Sequence, residues 1–174
     1  MIYYIADTHF GDERVMRLAH RPFETVEEMN EIMINNWNQK VKLGDRVYII
    51  GDFAFSDLEA QSVFNKLNGV KHLIIGNHDS VLSQKTLNMF GSVSSIEKIE
   101  DEGKSVVLCH YPLLSYENSI YGGYQIFGHI HNNSNDIAYT LQNQLPRSLH
   151  AGVDVNQFEP KTINELIEIK EKSR

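Results

Sequence analysis

Leu73-Ile74-Ile75-Gly76-Asn77-His78-Asp79 joins a short apolar run to a glycine, a carboxamide, an imidazole and a carboxylate. This is the pattern of a buried strand that hands polar side chains to the loop at its end. Loops held at strand ends by a rigid scaffold are where chemistry is usually carried. The same grammar recurs four times: Ile2-Tyr3-Tyr4-Ile5-Ala6 runs into Asp7-Thr8-His9, and Val47-Tyr48-Ile49-Ile50 into Gly51-Asp52. Val106-Val107-Leu108-Cys109 runs into His110, and Tyr124-Gln125-Ile126-Phe127 into Gly128-His129-Ile130-His131. Five of the eight histidines fall in these loops, so the repeat points to one shared site rather than to scattered surface histidines.

The 174 residues suit one domain spanning 1 to 174. No apolar run approaches the roughly 20 residues that span a bilayer, so no membrane partner is expected. The N-terminal apolar run is short, lacks a basic flank and leads straight into Asp7, unlike a secretory leader. Cys109 has no partner cysteine, and the expected location is cytoplasmic. A formal charge of −7 disfavours the basic track that extended nucleic acid needs. It leaves room for a small anionic substrate, because bound cations do not enter that count.

Strands are expected over 2 to 6, 46 to 50 and 71 to 75, separated by a short helix over 13 to 19, a helix over 26 to 40 and one from 57 to 67. Thr25-Val26-Glu27-Glu28 and Thr162-Ile163-Asn164-Glu165 have capping-box form, and Ser56 heads the helix at 57. Met29, Ile32, Met33, Trp37 and Val41 make the buried stripe of the long helix. From Val93 the pattern changes to a hairpin, 93 to 99 and 105 to 109 around Asp101-Glu102-Gly103. Strands over 124 to 127 and 148 to 153 follow, with 115 to 124 and 132 to 146 read as loops.

Collected, the strand-end loops offer Asp7, His9, Asp52, Asn77, His110, His129 and His131, a set of imidazoles and hard oxygens without thiolate. That chemistry suits divalent transition metals, Mn first and then Fe, Ni, Co or Zn, better than Ca or Mg. The set is too large for one ordinary ion and fits two ions sharing a carboxylate.

In order and over nearly the whole chain, Asp7-x-His9, Gly51-Asp52, Gly76-Asn77-His78-Asp79, His110 and Gly128-His129-x-His131 resemble the motif series of the calcineurin-like metallophosphoesterases, most of all their small cap-less bacterial and phage members. The resemblance implies an α/β fold, a four-layer α/β/β/α sandwich with a dinuclear metal centre at the strand ends. It implies that Asp7, His9, Asp52 and His131 hold one ion, that Asp52 bridges, and that Asn77, His110 and His129 complete the second. It further implies hydrolysis of a small phosphomonoester or phosphodiester by in-line attack of a metal-bridging hydroxide, with His78 as general acid and Asp79 orienting it. A non-catalytic module of the same fold and a nuclease are the alternatives.

Arg21 is a candidate phosphate clamp, although Arg14 and Arg17 fit almost as well. His20 and His72 read as solvent-facing, and His150 as structural or as a lining residue. Relatives often place a histidine after Asp-x-His-Phe-Gly, and here that position is Asp12, which leaves any contact made there open.

Overall fold

The computed structural model describes residues 1 to 172. Its first sheet is wholly parallel, in the order β1 (Ile2–Ile5), β2 (Arg46–Ile50), β3 (Val70–Ile74), β4 (Val93–Ser94). The second sheet has the order β5 (Ile96–Asp101), β6 (Lys104–Cys109), β7 (Tyr124–Phe127), β8 (Ser148–His150), antiparallel at β5/β6 and parallel after that. The helices are α1 (Glu13–Leu18), α2 (Val26–Lys40), α3 (Asp57–Phe64), α4 (Gln84–Leu87), α5 (Ile137–Gln144) and α6 (Ile163–Lys172). Mixed α/β architecture with two sheets packed together follows from these elements.

Strands of a sheet covered on both faces read as continuous apolar runs, and alternation within those runs divides the core in two. Tyr3, Ile5, Val47, Ile49 and Leu73 point to one face, where Met29, Met33 and Trp37 of α2 and Ala60 and Val63 of α3 meet them. The fourfold spacing of Met29, Met33 and Trp37 sets them on one side of the helix. Ile2, Tyr4, Tyr48, Ile50 and Ile74 point the other way, against Val106, Leu108, Ile126 and Leu149 of the second sheet and Ile163 and Leu166 of α6. Ile32 is only half-buried, outside the expected stripe. The sheets are knitted at one edge, where Ala6 N–H donates to the Ala151 carbonyl at 2.9 Å and Tyr4 pairs with Lys161.

Three expectations are corrected. Val93 and Ser94 belong to the first sheet beside β3, not to the hairpin, which begins at Ile96. Within 132 to 146, read as loop, lies α5, capped by the Asp136 carboxylate, which accepts from Ala138 N–H. Its Asn- and Gln-rich sequence hides a helix that docks through a polar contact. Gln142 Oε1 accepts from Nε2 of the buried Gln125 of β7 at 2.9 Å. The strand over 148 to 153 stops at His150; Gly152 makes an isolated parallel bridge to Ala6, and a 3-10 turn begins at Val153.

Register then positions the site. Ile5 lies opposite Ile49 and Ile50 opposite Ile74, so β1, β2 and β3 end together. β6 and β7 run parallel in the second sheet, and their carboxyl ends open on the same side, as Gly128 N–H donates to the His110 carbonyl at 3.0 Å. Ligands in open α/β sheets bind outside the carboxyl ends of strands.

Candidate metal centre

Asp7 follows β1, Asp52 follows β2, Asn77 follows β3, His110 follows β6 and His129 follows β7, each within a few residues of a strand end. Asp7, His9, Asp52, His129 and His131 all have positive φ, between 47° and 73°. This left-handed region is costly for side-chain-bearing residues, and such strain tends to gather where a site needs it. Crowding is also severe: a Cβ on Gly76 would lie 2.3 Å from Asp52 Oδ1, and one on Gly51 would lie 2.3 Å from His110 Nδ1. Glycines at these points let the backbone pass directly behind the ligands.

Two groups of candidate ligand atoms, each within 4.8 Å of one another, emerge: Asp7, His9 and His131, and Asp7, Asp52 and His110. Asp7 is common to both by this measure, whereas the sequence reading gave the shared role to Asp52. Asp52 is also central, since its Oδ2 lies 3.5 Å from His9 Nε2 and 3.5 Å from His110 Nε2. Asn77 Oδ1 stands 3.0 Å from His110 Nε2 and 3.0 Å from His129 Nδ1. Thus the structure brings all seven side chains to one place.

The donor chemistry fits cations. His110 Nδ1 is 2.8 Å from the Ile50 carbonyl, which can only accept, so the ring donates there and turns the Nε2 lone pair of its neutral form toward Asn77 Oδ1 and Asp52 Oδ2. His9 Nε2 is buried with no hydrogen-bond partner, an arrangement that costs free energy unless something binds it. Burial pushes the His9 imidazole down to about 3, against the opposing pull of Asp52, and so keeps it in the neutral, ligating form. Burial raises the Asp7 carboxyl to about 6, with His131 and His110 acting the other way. Cys109 adds no thiolate, because burial raises its thiol.

Other residues hold these candidate ligands. His131 Nδ1 lies 2.7 Å from Asp154 Oδ2, which leaves Nε2 for the centre. Burial disfavours the His131 imidazolium, but Asp154 and Asp7 outweigh it and raise the pKa. Asp154 in turn accepts from Arg21 Nε at 2.8 Å and Nη2 at 3.2 Å. Arg21 also donates to the backbone carbonyls of Thr8 at 2.9 Å and Asp7 at 2.7 Å. Its side chain is fully buried, so the phosphate-clamp reading is corrected: this guanidinium joins the Asp7-x-His9 turn to Asp154 and is closed to solvent. The sequence reading does not name Asp154, which follows Leu149-His150-Ala151-Gly152-Val153, where a histidine and a glycine break the apolar run that precedes Asp7 and Asp52.

Asp79 is corrected too. It accepts from Asp52 N–H, Phe53 N–H and Gly76 N–H, at 2.9, 2.9 and 2.8 Å, and its carboxylate clasps two strand-end loops instead of orienting the His78 ring. His78 is exposed, its backbone N–H donates to Asp52 Oδ1 at 2.8 Å, and its ring centre is 5.2 Å from that of His9. Among the bystanders, His72 is half-buried rather than solvent-facing, stacked 4.8 Å from Tyr48 and paired with Ser92. His20 is exposed at the rim of the groove that holds His9, His78, His129 and His131. His150 stacks on Phe127 at 4.8 Å and lines a different cavity. Asp12 caps α1 and accepts from Arg14.

The uncharacterized protein MJ1445 of Methanocaldococcus jannaschii is 34% identical over 176 residues, spanning 99% of this chain and 93% of its own length. This chain belongs to the MJ1445 family. AQ665 from Aquifex aeolicus, whose crystal structure is described as that of a protein of unknown function, shares the MJ1445-family fold seen here. Its TM-score is 0.76 with 24% identity, covering 97% of this chain and 98% of that one. A looser overlap, with a TM-score of 0.48 and 19% identity over 75% of this chain and 61% of that chain, is found with the nuclease MPE of Pseudomonas putida. No family model matches the chain.

Proposed function

We propose that this MJ1445-family protein is a metal-dependent phosphoesterase that holds two divalent transition-metal ions, Mn first, in an α/β/β/α frame and hydrolyses a small phosphate ester. The observation that carries the reading is the convergence of Asp7, His9, Asp52, Asn77, His110, His129 and His131, nitrogen and oxygen donors that include a buried, unpartnered nitrogen.

Asp7, His9 and His131 would hold one ion, Asn77, His110 and His129 the other, with Asp52 between them. When bound, such ions supply Lewis acidity toward phosphoryl oxygens and lower the pKa of water to about 7. The chain's own residues do the rest. Asp154 and Arg21 fix the His131 ring and the Asp7-x-His9 turn before substrate arrives. Asp79 holds the loops after β2 and β3 together through three backbone amides. His78, open to the groove, gives its ring proton to the leaving oxygen, a contribution of about 10² to 10⁴ in rate for a positioned acid.

The test is a panel of phosphomonoesters, phosphodiesters and nucleotides assayed with Mn(II)-reconstituted protein. Turnover that disappears with chelator and returns with Mn(II) is expected. Firm metal binding with no turnover on any ester would instead favour the non-catalytic module.

A further inference from the structure

The groove that contains His9, His78, His129 and His131 encloses about 750 Å³. Small-molecule sites occupy about 300 to 1,000 Å³, and a phosphoryl group fills a small part of that. The remainder of the groove therefore faces the rest of the substrate. One wall is α1 and its C-cap, with Val15, Leu18 and the capping Ala19, of which Leu18 is 81% exposed. The other is the segment after β7, with the carboxamides of Asn132, Asn133 and Asn135. Asn132 Nδ2 donates to the Ala19 carbonyl at 2.9 Å and ties the two walls together.

Charge sets what this space accepts. Among the described residues Arg14 is the single lysine or arginine that lines it, and its Nε and Nη2 lie 3.2 and 3.3 Å from the Asp12 carboxylate while its guanidinium lies over the Phe55 ring. Two carboxylates, Asp12 and Asp136, line the same groove. A second phosphate here would lose water without gaining a free cation and would face like charge. Carboxamides both donate and accept, and so suit hydroxyl, carbonyl and ring-nitrogen groups.

We propose that the groove takes the uncharged arm of an ester bearing a single phosphoryl group, an arm part apolar and part hydrogen-bonding. The proposal rests on the phosphoesterase reading above and narrows it. Nucleoside polyphosphates and nucleic-acid strands, which carry further phosphates along the groove, are disfavoured.

Two nitrophenyl phosphodiesters test it on the Mn(II)-loaded full chain, one with a nucleoside arm ending in a free hydroxyl and one with that hydroxyl phosphorylated. The leaving group is identical, so kcat/KM compares the arms alone. The neutral arm should be preferred by roughly 10-fold or more, and Leu18→Lys, at an exposed position, should narrow the ratio by about 3-fold or more. Equal or reversed preference, or a ratio unmoved by Leu18→Lys, overturns the proposal. If neither ester is turned over, the hydrolytic reading fails, and the groove is judged by binding of the two corresponding phosphonates. Tighter binding of the neutral arm then upholds the groove assignment, and equal or weaker binding overturns it.

Discussion

Asp154 fixes one ring of the centre from behind, and this makes it a sharper probe than any ligand. Its Oδ2 is 2.7 Å from His131 Nδ1 and its side chain is buried, held by Arg21. Replacement by Asn keeps the shape and removes the carboxylate that fixes the imidazole's tautomer. Outer-shell partners of this kind are worth about 10- to 100-fold in metal affinity. Asp154→Asn should weaken Mn(II) binding by that factor in calorimetric titration, with an unchanged circular dichroism spectrum. Unchanged affinity would mean that His131 is held by something else. His78, the proposed acid, can be probed apart from the proposed metals. His78→Ala should retain metal, lose little rate on nitrophenyl esters and lose about 10²-fold or more on alkyl esters, because only a poor leaving group needs the proton. A uniform loss across a leaving-group series would assign His78 to phosphate positioning.

The strand-end loops show how far an element can be read from its own residues. β2 (Arg46–Ile50), α2 (Val26–Lys40) and β7 (Tyr124–Phe127) follow from apolar run and cap alone, because each buries what its sequence displays. At Thr162 the cap is reciprocal: Thr162 Oγ1 accepts from Glu165 N–H, and Glu165 Oε2 accepts from Thr162 N–H. At Thr25 the hydroxyl accepts from Glu28 N–H, but Glu28 reaches back to Glu24 N–H instead. Arg21 was misread because burial of a guanidinium depends on Asp154, 133 residues away, and no local pattern shows it. Asp79 sits beside His78 in sequence, yet its oxygens turn to three amides that only the paired strands bring near. α5 leaves no apolar signature in the sequence because it docks through Gln142 rather than through an apolar stripe. The glycines belong to this scale as well. Gly76→Ala would drive a methyl to 2.3 Å from Asp52 Oδ1, so the β3 loop must shift. Metal binding and turnover should fall together, by about 10-fold or more each, the scale of a misplaced catalytic group. Binding and kinetics at wild-type level would show that the loop yields without moving Asp52.

Over the whole molecule, the two sheets bring five strand-end loops into one centre at the cost of burying groups that would rather be charged in acid. The half-buried His150 ring, with Nε2 unpartnered, has its pKa lowered from 6.5 to about 3 by burial, with His131 adding to the effect. Between those pH values the unfolded chain binds a proton that the folded chain refuses, so stability must rise with pH through this window and fall as pH drops below 6.5. His9 acts in the same direction. Urea unfolding of the metal-free protein between pH 4 and 7 should show that slope, and His150→Leu should flatten it whatever it does to absolute stability. No helix among the described residues is long and apolar enough to cross a membrane. The proposed function requires the seven candidate ligands to act as one two-ion centre around Asp52. Metal content per chain after reconstitution with Mn(II), measured on wild type and Asp52→Asn by elemental analysis, tests that directly. Two ions per wild-type chain and a clear deficit in Asp52→Asn are predicted, and one ion or none in the wild type would contradict it.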